Sequence, residues 1–200
     1  MQALHFGAGN IGKGLIGNLL TQTGYEVCFV DVNQRIVDHF NQHKQYLVEL
    51  LDDNHTVEII SPVSALNSIT QKNEVIDSIV KADLITTSVG INNLFRIAPV
   101  LSEGLLERAK GNNKKVDIIA NENAINATST LKREIEKLVS KNEMKEICSI
   151  AGFPNSAIDR LALSKHTEEG DTALVEPFYE WIINKSEMIK DYIIKVLDKG

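Results

Sequence analysis

Two hundred residues are enough to bury one hydrophobic core, with room for an appendage. Apolar content of 43% and charged content of 24% mark an ordinary globular chain. The net charge of −6, with no Lys/Arg-rich stripe, excludes nucleic acid as an expected partner.

No apolar run reaches the roughly 18–20 residues of a membrane span, so no membrane partner is expected. The N-terminus enters a strand directly, which leaves no room for a signal peptide. The expected location is cytoplasmic. Cys28 and Cys148 sit in apolar, strand-like runs and read as buried free thiols in a reducing compartment.

Gln2-Ala3-Leu4-His5-Phe6 reads as a short buried strand. Gly7-Ala8-Gly9-Asn10-Ile11-Gly12 follows, then a helix over 13–20 that Gly24 stops. Glu26–Val30 is a second strand, closed by Asp31. Strand, G-x-G-x-x-G, helix, strand and acid, in that order, form a dinucleotide-binding fingerprint. Gly7 permits the tight turn, Gly9 lets a pyrophosphate approach bare backbone, and Gly12 lets the helix pack closely. The helix N-terminus offers N–H groups and partial positive charge to phosphates. Asp31 can accept from adenine-ribose hydroxyls and repels a 2′-phosphate, which favours NAD over NADP. A glycine-rich turn that binds nothing, or a flavin dinucleotide, are the competing readings.

Further along, Asn33 caps a helix over Gln34–His43, with Ile36, Val37 and Phe40 inward. Arg35 on its first turn lies over adenine or in solvent. His39 and His43 share a helical face, but no carboxylate or cysteine joins them, so surface histidines and no metal are expected. Tyr46–Leu51 and Val57–Ile60 form a hairpin-like excursion that Pro62 ends. Asn73–Val80 is a helix and Leu84–Thr87 a buried strand, leading into a loop, Thr86–Gly90, at a strand's carboxyl end. In open parallel sheets ligands bind there; a plain connecting loop is the alternative. Leu94–Ala109 is a helix containing Pro99, and Gly111–Lys115 a polar connector. Val116–Ala120 is a strand delivering Asn121-Glu122-Asn123. Thr128–Val139 is a helix with Leu131, Ile135, Leu138 and Val139 inward, and Ile147–Ile150 reads as a further strand. Ser164–Thr172 reads as a charged loop and Leu174–Glu176 as a short strand. Pro177 opens a helix with Phe178, Trp181 and Ile182 inward, and Glu187–Leu197 is a last amphipathic helix.

The alternation predicts an α/β, Rossmann-type doubly wound parallel sheet with helices on both faces. The residues expected at the cofactor are Phe6, Gly7, Ala8, Gly9, Asn10, Ile11 and Gly12, then Asp31, Val32 and Asn33, then Thr87, Val89, Gly90 and Asn123.

The run Leu4–Gly14 followed by Asp31-Val32-Asn33 resembles the polyol-specific long-chain dehydrogenases. Thr86–Gly90, Glu122-Asn123-Ala124, Asn155–Arg160 and Glu176–Trp181 agree with that family as well, so the resemblance covers most of the chain. It implies hydride transfer between NAD and a small-molecule sugar phosphate or polyol, mannitol 1-phosphate to fructose 6-phosphate and back. It also implies that Asn123 stabilises the alkoxide or carbonyl oxygen, and that Asp159 contacts the polyol or supports a catalytic lysine. An amide N–H can donate to an oxyanion, and a carboxylate can bind hydroxyls. A helix cap competes for Asn123, and an ion pair or turn for Asp159. Arg160 meets a phosphate or forms a structural salt bridge.

The chain departs from the family at Lys13, where arginine is usual, at Asn121, where a small residue or cysteine is common, and at Leu161-Ala162-Leu163, where an apolar-Pro segment is usual. These put the exact polyol in doubt. The family's proton-transfer motif, Lys-x₄-Asn-x₂-His, does not occur in the chain, and family members run to nearly twice this length. The expected organisation is a cofactor domain over residues 1–163, then a linker and the start of a truncated helical second domain over 164–200. Such a chain is expected to bind NAD but turn over poorly, and to self-associate through the face left exposed. A stand-alone NAD(H)-sensing module and the cofactor half of a hexuronate reductase are the other readings.

Overall fold

The structure is a computed structural model that describes residues 1–111, 114–167 and 170–190. Strand β1 (Gln2–Phe6) is buried along four of its five residues, as an interior parallel strand must be. A π-helical segment, Gly12–Gly17, continues into α1 (Asn18–Gln22). Next come β2 (Glu26–Asp31) and α2 (Gln34–His43). The Asn33 side chain caps α2 by accepting from Arg35 N, and Lys44 ends it in a left-handed turn. Then follow β3 (Tyr46–Leu50), β4 (Val57–Ile60), β5 (Val63–Asn67), α3 (Lys72–Lys81), β6 (Leu84–Thr87), α4 (Leu94–Gly111), β7 (Val116–Ala120) and α5 (Ala127–Glu136). The chain continues through α6 (Lys141–Ile150), β8 (Ala151–Gly152), β9 (Ser156–Asp159), β10 (Ala162–Thr167), β11 (Gly170–Val175) and β12 (Glu180–Ile183).

Six of these strands make one sheet in the order β5-β2-β1-β6-β7-β8, and every pairing in it is parallel. Leu15, Leu19, Val37 and Phe40 from the first two helices pack on Ala3, Val27 and Phe29 of one face. Ile79, Leu101, Leu131 and Ile147 from α3 to α6 pack with Leu4, Val30, Ile85 and Ile118 of the other. The order of strand addition reverses between β1 and β6, the point beyond whose strand ends ligands bind in such sheets. A second sheet has the order β10-β11-β3-β4, with β11 parallel to β3. Strands β9 and β12 form a separate antiparallel pair.

Several sequence expectations are corrected here. Ile147–Ile150 is the last turn of α6, not a strand. Ser140 and Glu143 form a capping box that starts the helix, and Ile147 and Ile150 face inward at helical spacing. The same spacing turns Cys148 outward, so it is exposed, while Cys28 is half-buried; both are free thiols. Helix α5 stops at Glu136, which leaves Leu138 exposed. The loop expected over Ser164–Thr172 is largely β10 and β11, which pair with each other, while β11 pairs on with β3. The helix expected after Pro177 is not formed: Trp181 is buried while Phe178 and Ile182 are exposed, the alternation of a strand. Val63–Asn67, to which the sequence reading assigned no element, is the edge strand of the main sheet. The expected boundary at 163/164 falls inside β10. The residues from Ala162 to Ile183 that the structure describes are mainly strand, so no helical start of a second domain is seen in them. Most of the helix expected over Glu187–Leu197 lies outside the described residues.

Candidate functional site

The glycine loop lies at the carboxyl end of β1, at the strand-order reversal. Gly7 has a φ of +99°, and a Cβ there would stand 2.6 Å from Ser88 O, so the position is closed to L side chains. A Cβ on Gly9 would meet nothing within 4 Å; the backbone there faces open space. One on Gly12 would collide with Gly7 O and stand 2.8 Å from His5 Nε2. Turn, open backbone and close packing therefore fall on the three glycines as expected. No side chain caps the helix start. Asn10 is half-buried, and its side chain is held by β10: Nδ2 donates to Ala162 O at 3.4 Å and the Ser164 hydroxyl donates to Oδ1. Ile11 is half-buried against the core under α1.

Asp31 ends β2 beside this loop. Its carboxylate accepts from Ala8 N at 2.7 Å and from Asn33 N at 2.9 Å, which ties strand end and glycine loop into one rigid corner. Val32 is 65% exposed, and Asn33 is committed to capping α2. Arg35 and His43 are exposed. No group of His, Cys, Asp and Glu that could hold a metal occurs among the described residues.

Beneath the loop lies His5. It is fully buried, with Nδ1 2.7 Å from Thr86 Oγ1 and Nε2 2.9 Å from Ser88 Oγ. Burial pushes its pKa down to about 3, against a smaller opposing effect of a backbone hydrogen bond at Gly7. The ring is therefore neutral at pH 7 and joins β1 to β6 across the reversal point. Phe6 is buried, and its carbonyl accepts from Ser88 N at 2.8 Å.

The loop after β6 is gripped by a residue that sequence reasoning passed over. Glu122 is 6% exposed. Its carboxylate accepts from Thr87 Oγ1 at 2.7 Å, Val89 N at 3.0 Å and Gly90 N at 2.7 Å. Gly90 supplies a φ of +88°. The signals in the sequence were an acid at the end of a predicted strand and its place in the family-like run Glu122-Asn123-Ala124.

Asn123, next in sequence, is exposed. It does not cap α5, whose first turn instead receives Asn155 Oδ1 at Ser129 N, 3.1 Å. Asn123 lines a cleft of about 530 Å³ together with Glu122, Asn155, Ser156, Ile158 and Ile182. Asp159 is exposed on β9 and is not part of that lining. Asn121 is buried and accepts from Ser156 Oγ at 2.9 Å. Arg160 is structural. Its guanidinium donates to Gly14 O at 2.7 Å and Glu176 O at 3.0 Å and lies over the Tyr179 ring.

Fold and site together define a Rossmann-type α/β domain with its glycine loop at the strand-order reversal. The family model for the mannitol dehydrogenase Rossmann domain matches residues 1–195, and the chain belongs to that family. It is 48% identical over 186 residues to mannitol-1-phosphate 5-dehydrogenase of Bacillus subtilis, covering 93% of this chain and 49% of that protein. With the enzyme of the same name from Bacillus licheniformis it shares 45% over 187 residues, 94% of this chain and 49% of that one. The chain thus spans about half the length of the curated relatives it matches. Among solved structures, mannitol 2-dehydrogenase of Pseudomonas fluorescens, a ternary complex with NAD and D-mannitol, superimposes with a TM-score of 0.76. Identity there is 12%, over 92% of this chain and 49% of that one. No helix among the described residues is long and apolar enough to cross a membrane.

Proposed function

We propose that this chain is the NAD-binding half of an oxidoreductase that interconverts mannitol 1-phosphate and fructose 6-phosphate. The observation that carries the reading is the open backbone at Gly9 set beside the Asp31 carboxylate. The identity of nearly half with mannitol-1-phosphate 5-dehydrogenases supports the substrate.

The groups present fit NAD. Gly7 to Gly12 and the uncapped helix start hold the pyrophosphate, Asp31 takes the adenine-ribose hydroxyls, and the Thr87–Gly90 loop borders the other half of the crevice. NAD, when bound, would supply the acceptor for a hydride from the polyol carbon. Asn123 donates its amide to the oxygen on that carbon, where charge develops. Asp159 meets hydroxyls of the polyol or supports the base. A lysine that takes the hydroxyl proton belongs, on this reading, to the half of the relatives that this chain does not span. General acid–base help is worth roughly 10²–10⁴-fold, so the 200 residues alone bind NAD and turn over poorly.

The same reading divides the chain into a cofactor domain and the approach to a second domain, and places the protein in the cytoplasm. Ile125 and Ile182, 92% and 59% exposed at the cleft, are the face through which the chain self-associates. Sedimentation at rising concentration checks this, and a strict monomer would exclude it.

Isothermal titration with NAD, NADP and mannitol 1-phosphate tests the whole. NAD binds, and NADP binds about tenfold more weakly or worse. A chain that takes up no NAD overturns the assignment, and equal affinity for NADP overturns the role of Asp31.

A further inference from the structure

The Glu122 carboxylate is almost sealed from solvent, and both its oxygens are in use. Successive main-chain N–H groups such as those of Val89 and Gly90 form a concavity that suits an anion. Here the protein's own carboxylate fills it. A phosphate is therefore not held at this loop, and the glycine loop across the crevice remains the place for one. The rest of the segment is pinned too: Ser88 N donates to Phe6 O at 2.8 Å, and Val89 O accepts from Asn93 Nδ2 at 2.9 Å.

The topology says which end of a ligand this loop meets. The order β2-β1-β6-β7 puts Asp31 and the loop on opposite sides of the reversal point, and a dinucleotide lies across that point with one mononucleotide on each side. Asp31 takes the adenosine side, which leaves the nicotinamide side to the loop.

On the strength of the NAD reading above, we propose that Glu122 is a positioning residue for the nicotinamide end. By clamping residues 87–90 it shapes the wall that receives the nicotinamide ribose, and it takes no part in holding the adenosine end. Its place in sequence beside Asn123 couples that wall to the group proposed to meet the reacting oxygen.

The test compares NAD with ADP, which carries the adenosine and pyrophosphate alone, by calorimetry on the wild-type chain, Glu122→Gln and Glu122→Asp, with thermal melts alongside. In Glu122→Gln one accepting oxygen becomes a donor that faces a main-chain N–H. The expected result is an NAD Kd raised about tenfold, the size of one lost charge-assisted hydrogen bond, with ADP held within about twofold. Glu122→Asp keeps the charge and recovers part of the NAD affinity. Unchanged NAD binding overturns the proposal, and so does an equal loss for NAD and ADP, which marks a merely structural residue. If Glu122→Gln does not fold, Thr87→Val removes only the hydroxyl leg. A loss of about threefold for NAD and none for ADP then supports the clamp, and no NAD-specific loss overturns it. Failure of the wild-type chain to bind NAD is a different result and sinks the cofactor assignment itself.

Discussion

The Arg160 guanidinium donates to the carbonyl of Gly14, 2.7 Å away and 146 positions earlier in the chain. In a π-helical stretch the hydrogen bonds run i→i+5, so carbonyls fall out of the ordinary helical register. Arg160 takes the one at Gly14, and the buried Tyr46 hydroxyl donates to the neighbouring one at Lys13, 2.8 Å away. The widened first helix is thus held by two side chains from outside it. Arg160→Ala is expected to cost about 2–4 kcal/mol in urea unfolding, because it strips buried carbonyls of a charged donor. A variant with unchanged stability but weakened sugar-phosphate binding would return Arg160 to the role of a phosphate ligand.

Two of the glycines answer opposite questions. Gly9→Ala adds a methyl to open space, so the melting temperature should move by no more than about 2 °C. NAD affinity should fall about tenfold or more, because the methyl occupies the path of the pyrophosphate. Gly12→Ala drives a methyl against Gly7 O and His5 and should cost about 1–3 kcal/mol of stability. Melting curves paired with NAD titrations separate the two. A Gly9→Ala variant with full NAD affinity contradicts the proposed pyrophosphate site.

Asp31→Ala should weaken NAD about tenfold to a hundredfold, since hydrogen bonds to a charged group are worth about 1.5–3 kcal/mol. NADP should lose much less, because the same substitution removes the repulsion of a 2′-phosphate. The quantity to follow is the NAD to NADP ratio of Kd values. An equal fall for both cofactors means that the carboxylate acts only through Ala8 N and Asn33 N.

His5 gives the fold a pH dependence of known sign. Its pKa is about 3 in the folded chain against 6.5 as the ordinary value, so between those limits the unfolded chain binds the extra proton. The stability this group contributes is whole above pH 6.5 and is lost as pH falls from there toward 3, at about 1.4 kcal/mol per unit. From pH 7 to pH 5 the loss should be about 2 kcal/mol. Urea unfolding of the wild-type chain against His5→Asn isolates it: the variant should start lower at pH 7 and show a shallower slope. Parallel slopes would mean that His5 is not buried neutral.

The glycine fingerprint was legible in the sequence because turn, open backbone, helix and acid are all local to residues 2–31. Leu84–Thr87 and Val116–Ala120 were legible as strands because each is a short, largely apolar and β-branched run, as parallel strands covered on both faces are. What escaped depends on partners distant in sequence. Strands β10 and β11 carry charge and are fixed by pairing with each other and, through β11, with β3, and β5 is a short edge strand recognisable only beside β2. Ile147–Ile150 is an apolar run whose period is ambiguous, although Ser140 and Glu143 announced a helix. At the candidate site, Asp31 stands out by its spacing, whereas the grip of Glu122 on residues 87–90 is visible only in the folded chain.

Strand β3 waits for β11, and the glycine loop waits for Ser164 to reach Asn10. On the ribosome the hairpin of β3 and β4 emerges long before the strand that completes it. A nascent chain paused in that interval presents a bare sheet edge, the kind of surface that chaperones cover and that otherwise pairs with its neighbours. The glycine loop therefore gains its contact with β10 only after 154 further residues have left the ribosome.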